Sequence, residues 1–101
     1  MVGFTQALAQ EMGVHRVNVN AICPGLVDTE RVDFIASALA PEGESGAEHR
    51  AMMVRHRESM VPLGRIAQGD DIARLAAFLS SAESDYMTGL SISVSGGTEM
   101  N

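Results

Sequence analysis

Apolar and polar residues alternate along this chain in two rhythms, and each rhythm marks an element. Phe4, Ala7, Leu8 and Met12 fall near a 3.6-residue spacing and predict a helix over 1–12, stopped by Gly13. After a short connection at 14–16, residues 17–23 alternate instead. Val17, Val19 and Ala21 lie on one face and Asn18, Asn20 and Ile22 on the other, which predicts a short strand. Pro24 cannot donate to a sheet ladder and Gly25 turns freely, so the strand gives way to a polar loop over 24–29.

Helical spacing then returns. Val32, Ile35 and Leu39, with Phe34 beside them, predict a helix over 30–40. A Pro- and Gly-containing loop at 41–46 separates it from a second helix over 47–60, rich in Met and charge. Residues 61–69 are a loop. Ile72, Leu75, Ala76 and Leu79 form a single stripe, flanked by Phe78, and predict a helix over 70–80. Asp70 is expected as its N-cap, with Asp71 adding a second negative charge near the positive helix end. Residues 81–85 are a polar connection. Leu90, Ile92 and Val94 alternate with Ser91 and Ser93 in a second strand over 90–94, which leaves through Ser95, Gly96 and Gly97.

The fold class is therefore α/β. Two strands joined by a long helical crossover are expected to be parallel, with a right-handed connection. A two-stranded sheet cannot cover both faces of its own helices, and residues 17–22 present an open edge. The arrangement is expected to be incomplete as a fold on its own, needing more sheet or a partner chain. Ligands of open α/β sheets sit beyond the carboxyl ends of the strands, so the loop over 24–29 is the candidate site.

Composition refines this picture. The 101 residues suffice for one small domain, and 46% apolar content with 4% aromatic predicts a packed core of aliphatics, Ala and Met. A net charge of −6 argues against non-specific binding to nucleic acid or anionic membrane. No apolar run approaches the roughly 20 residues needed to span a bilayer, and no basic-then-apolar leader begins the chain. A soluble, cytoplasmic protein is expected. The single Cys23 excludes an internal disulfide and, at an apolar strand end with no histidine nearby in sequence, reads as a small buried thiol rather than a nucleophile. His49 and His56 lie seven apart without a carboxylate or cysteine at matching spacing, so no metal site is expected. His15 reads as an exposed loop residue.

Several motifs now fall into one order. The run VNVNAICPGLVDT at 17–29, preceded by FTQALA at 4–9, is followed by PLGR at 62–65, DDIA at 70–73, YMTG at 86–89 and SVSGG at 93–97. In this it resembles the C-terminal part of the classical short-chain dehydrogenases/reductases, over nearly the whole chain except its middle. The resemblance implies part of a Rossmann-type sheet and NAD(P)-dependent oxidoreductase chemistry, with hydride moving between the nicotinamide and a carbonyl or alcohol. It implies NAD or NADP as cofactor, with Pro24, Gly25, Val27 and Thr29 as cofactor-binding residues. The Val27 backbone would offer the carboxamide one donor and one acceptor, and the Thr29 hydroxyl can both donate and accept. Thr29 could equally cap the following helix, or do both. Asp28 reads as a capping or solvated residue rather than an acid. Asn18 stands where the family often has arginine and Ser95 where it usually has aspartate. Asn18 and Asn20 are expected to form side-chain hydrogen bonds near a strand end rather than to act in catalysis.

By the same resemblance, the segment at about 30–60 corresponds to the variable substrate lid. Met52, Met53 and Met60 either line a pliable apolar pocket there or simply pack a surface helix. The Gly-rich TGxxxGxG turn, the catalytic serine and the Tyr-x-x-x-Lys pair of the family are not in these residues. Tyr86 is not that tyrosine, because position 90 is Leu90 and the chain has no lysine; it is expected to pack structurally. Catalytic residues are thus expected to be absent, and the chain inactive alone. Because the family's first helix here, its last strand and the helix before that strand meet neighbouring subunits, a homo-oligomer or association with a full-length relative is expected. The alternative function is a non-enzymatic oligomerisation module.

Overall fold

The computed structural model describes residues 2–99. Met1, where the first helix was expected to begin, lies outside the described residues. Helix α1 (Val2–Met12) is followed by a 3-10 turn (Gly13–His15) and strand β1 (Ala21–Pro24). Helices α2 (Glu30–Leu39), α3 (Gly46–Met60) and α4 (Gly69–Leu79) form the crossover, and a 3-10 turn (Ala82–Ser84) leads into strand β2 (Ser91–Val94). The two strands pair in parallel, with Ala21 opposite Ser91 and Pro24 opposite Val94. The chain is an α/β arrangement of two parallel strands with helical crossovers.

The first strand is shorter than the alternation predicts, and side chains explain why. Residues 17–20 run beside 85–90 but are bound largely by side chains. Asn18 Nδ2 donates to the Asp85 carbonyl (3.1 Å), and Thr88 Oγ1 accepts from the Val19 N–H (2.9 Å). Asn20 works in both directions: its Nδ2 donates to the Met87 carbonyl (3.1 Å) and its Oδ1 accepts from the Leu90 N–H (3.0 Å). An asparagine side chain carries both a donor and an acceptor, so it can stand in for a ladder rung. Both asparagines thus do what a strand-end hydrogen-bonding residue does. The left-handed residue after α1 is Arg16, at φ 59°, and not Gly13.

The cap of α4 also differs from expectation. Gln68, not Asp70, occupies the N-cap position. Asp71 is the third residue of the helix, and its Oδ2 accepts the Gln68 N–H at 2.8 Å. That arm satisfies a donor the helix start would otherwise leave open.

Packing is strongest between α2 and α3. Gly46 lies against Ser37, where an added Cβ would come within 3.2 Å of the Ser37 Cα. Arg50 meets Asp33 one turn further along each helix, so the pair runs antiparallel. Val32 and Ala36 are buried in this contact. Ala9 of α1 packs on the 85–90 turn, 3.5 Å from the Cβ position of Gly89.

The packed aliphatic core expected from composition is not formed. The buried apolar side chains are Ala9, Val32, Ala36 and Ile66, while Phe4, Phe34, Leu39, Leu63 and Leu90 stay exposed. Tyr86, expected to pack, is fully exposed, at 103% of its reference area. Every residue of β2 is only half-buried, so neither face of the sheet is closed. The physical reason is the one anticipated: two strands have too little area to cover the apolar faces of four helices.

Candidate functional site

The loop over 24–29 leaves the sheet where both strands end. The Gly25 N–H donates to the Val94 carbonyl (3.0 Å), extending the ladder by one bond past Pro24. Gly25 then passes close over Ser95: an added Cβ would lie 3.2 Å from the Ser95 Cα and 3.3 Å from its Cβ. A side chain there would be in tight contact, and Ser95 would have to give by a few tenths of an ångström.

Beyond Gly25 the loop is pinned to the approach of α4. Ala67 donates to the Leu26 carbonyl (3.0 Å) and accepts from the Asp28 N–H (2.8 Å), a parallel bridge centred on Val27 and Ala67. In such a bridge the central residue's own N–H and C=O point away from its partner. Val27 accordingly has a donor and an acceptor with no partner among the described residues. Thr29 takes the N-cap position of α2 with extended backbone (φ −139°, ψ 169°), and its carbonyl accepts from the Val32 N–H at 3.0 Å. Its hydroxyl makes no capping bond. Of the two roles open to Thr29, the side-chain cap is not used and the hydroxyl stays available.

Asp28, neither a cap nor solvated alone, is the loop's anchor. Its Oδ1 pairs with Arg50 Nη2 from α3, and its Oδ2 accepts from Gln68 Nε2 at 3.4 Å. Arg50 Nε also pairs with Asp33 of α2. Nearby, Arg65 makes a two-pronged contact with Asp71, at 2.7 and 3.0 Å. The Arg65 hydrogen bonds, with that from the Gln68 backbone N–H, hold the Asp71 carboxyl well below the usual carboxylate range. Asp71 in turn raises the Arg65 pKa.

A cleft of about 180 Å³ opens beside the strand ends, lined by Gly25, Leu26, Val94 and Ser95 together with Arg57 and Arg65. Gly25 therefore faces the cleft, while Pro24, Val27 and Thr29 do not line it. Met52, Met53 and Met60 do not line it either, and Met52 and Met60 are about half exposed. Cys23 is half-buried, beside Ser93 across the ladder. His49 faces Glu44 at 3.7 Å. Among the described residues no three His, Cys, Asp or Glu side chains gather as a metal-ligand group, and no helix is long and apolar enough to cross a membrane.

Sequence reasoning missed Arg50, Gln68 and Ala67 as parts of the site. Nothing in the spacing marks Arg50 among the arginines of α3, because its partner Asp28 lies 22 residues away.

With this geometry in hand, the comparisons with known proteins are consistent along the whole chain. Residues 1–99 match the family described as Enoyl-(Acyl carrier protein) reductase. Galactitol 2-dehydrogenase of Agrobacterium fabrum is 39% identical over 100% of this chain and 38% of its own length. Acetoacetyl-CoA reductase of Shinella zoogloeoides is 40% identical over 95% of this chain and 34% of its own. The crystal structure of a short chain dehydrogenase family protein from Francisella tularensis superposes with a TM-score of 0.82 at 36% identity, over 96% of this chain and 39% of that one. The chain belongs to the short-chain dehydrogenase/reductase family, and its two strands are part of that family's Rossmann-type sheet. It spans less than two fifths of the length of the relatives it matches.

Proposed function

We propose that these residues form the nicotinamide end and the substrate lid of an NAD- or NADP-dependent oxidoreductase that transfers hydride to a carbonyl or from an alcohol. The observation that carries this reading is the Val27 backbone. Its N–H and C=O have no partner among the described residues, yet the residues on either side are pinned by Ala67. A carboxamide offers one acceptor oxygen and one donor nitrogen, and the Val27 backbone complements both. The Thr29 hydroxyl, free beside the start of α2, adds a group that can meet the carboxamide and a nearby phosphate. Gly25 makes the last bond of the ladder, to Val94, and brings the backbone close to Ser95. NAD(P) supplies the hydride donor or acceptor when bound. The region 30–60 forms the lid. One relative is named as a dehydrogenase of galactitol and the other as a reductase of acetoacetyl-CoA, so hydride transfer is the part carried over.

The general acid of the reaction is not among these residues. The test is to isolate the native polypeptide and measure its intact mass and its NAD(P)H-dependent turnover. A mass well above 10.7 kDa with turnover is expected, along with no turnover from the 101 residues alone. Turnover by the 101 residues would sink this reading. A native mass of 10.7 kDa would instead favour a non-enzymatic module that docks on a second copy or a full-length relative. The exposed apolar side chains of α1 and α2, Phe4 and Phe34 among them, are the observation behind that second reading.

A further inference from the structure

The geometry points to Arg50 as a positioning residue for the cofactor loop: from α3 it fixes the Asp28 carboxylate and, through it, the Val27 backbone. The inference rests on 24–29 being the nicotinamide loop. One guanidinium meets Asp28 through Nη2 and Asp33 through Nε. The first contact holds the loop just before Thr29, and the second holds the first turn of α2. Asp28 also accepts from Gln68 Nε2, at 3.4 Å.

Burial decides the strength of this staple. The Arg50 and Asp28 side chains are 27% and 35% exposed, so their attraction is screened less than on an open surface. Removing Arg50 would leave a half-buried carboxylate with one long amide contact, and an unpaired charge there is unfavourable. The loop would then move to hydrate Asp28, taking the Val27 carbonyl and the Thr29 hydroxyl with it.

The two pairs also do different work. Asp33–Arg50 joins α2 to α3, which Val32, Ala36 and the Gly46–Ser37 contact already hold together. Asp28–Arg50 joins α3 to the loop. Lid and cofactor loop are therefore coupled through this guanidinium, and by reciprocity cofactor binding tightens α3 as α3 tightens the loop.

The test uses the native-length polypeptide, with NADH and NADPH as probes, and reads both their Kd and amide hydrogen exchange. Arg50→Gln is expected to raise the Kd about tenfold, to speed exchange over 26–29, and to abolish cofactor-induced protection over 46–60. Arg50→Lys recovers part of this, since an ammonium reaches one carboxylate but does not span two. Asp33→Asn loosens exchange between α2 and α3 and leaves the Kd within about twofold, because Asp28 keeps its partner. If Arg50→Gln does not fold, Asp28→Asn gives the same Kd shift with the Asp33 pair intact. Unchanged exchange over 26–29 together with an unchanged Kd in Arg50→Gln overturns the proposal, as does Asp33→Asn raising the Kd as much as Arg50→Gln. A wild-type polypeptide that binds neither cofactor overturns the nicotinamide-loop reading and the positioning role with it. Faster exchange over 26–29 in Arg50→Gln would then mark Arg50 as a purely structural tie.

Discussion

Gly96 sits at φ 65°, with Val61 Cγ1 only 2.7 Å from where a Cβ would be. An alanine there meets two penalties, a left-handed backbone and a contact with Val61. Gly96→Ala is expected to destabilise the protein by about 1–3 kcal/mol in urea unfolding; a midpoint equal to wild type would show that the exit of β2 rearranges freely. The same scale shows what could be read from the sequence at the site. Pro24, Gly25, Val27 and Thr29 were legible because a proline, a glycine and a hydroxyl at fixed offsets constrain one short loop whatever surrounds it. Arg50 was not. It shares α3 with Arg55 and Arg57, and which of the three meets Asp28 depends on how α3 is rotated and packed on α2, a quantity no local pattern contains.

Among the elements, α4 carries the clearest pH dependence. Arg65 and the Gln68 backbone N–H depress the Asp71 pKa in the folded chain. A carboxylate with a depressed folded pKa contributes stability that is fully present above its unfolded pKa, near 3.9. That contribution is lost as pH falls through the folded value. Unfolding measured from pH 7 down to 2 is expected to show stability dropping below about pH 4, and Asp71→Asn is expected to flatten that part of the profile. An identical acid limb in the variant would show that Arg65 and Asp71 part in solution. The sequence placed this helix correctly from its stripe but set the cap at Asp70. The adjacent aspartates offer two candidates, and the choice falls to how the preceding chain enters. That entry is fixed by Ala67 bridging to Leu26 and Asp28, a contact some 40 residues away in sequence. The strand over 17–23 was overextended for a related reason. Alternation looks the same whether its partner is a ladder or a pair of asparagine side chains.

For the whole molecule, the outline is too long and too open for its mass. Its radius of gyration is 17.3 Å and its extents 59 × 24 × 21 Å, whereas a compact chain of this length has a radius near 13 Å. Its accessible surface of 7118 Å² compares with about 5,500 Å² for a folded monomer of this mass. The excess is about the area a stable protein interface buries in total. Light scattering of the 101 residues alone is therefore expected to show self-association; a monodisperse, folded 10.7 kDa monomer would count against that. By itself the sequence determined the helices, the parallel α/β order, the family and the loop that turns above the strand ends, because periodicity and turn chemistry act over a few residues. Only the tertiary structure decided that Arg50 and Gln68 anchor Asp28, that Val27 keeps its peptide groups unpartnered among the described residues, and that Gln68 rather than Asp70 caps α4. Each of these depends on how segments far apart in sequence approach one another, and no short stretch of chain encodes that approach.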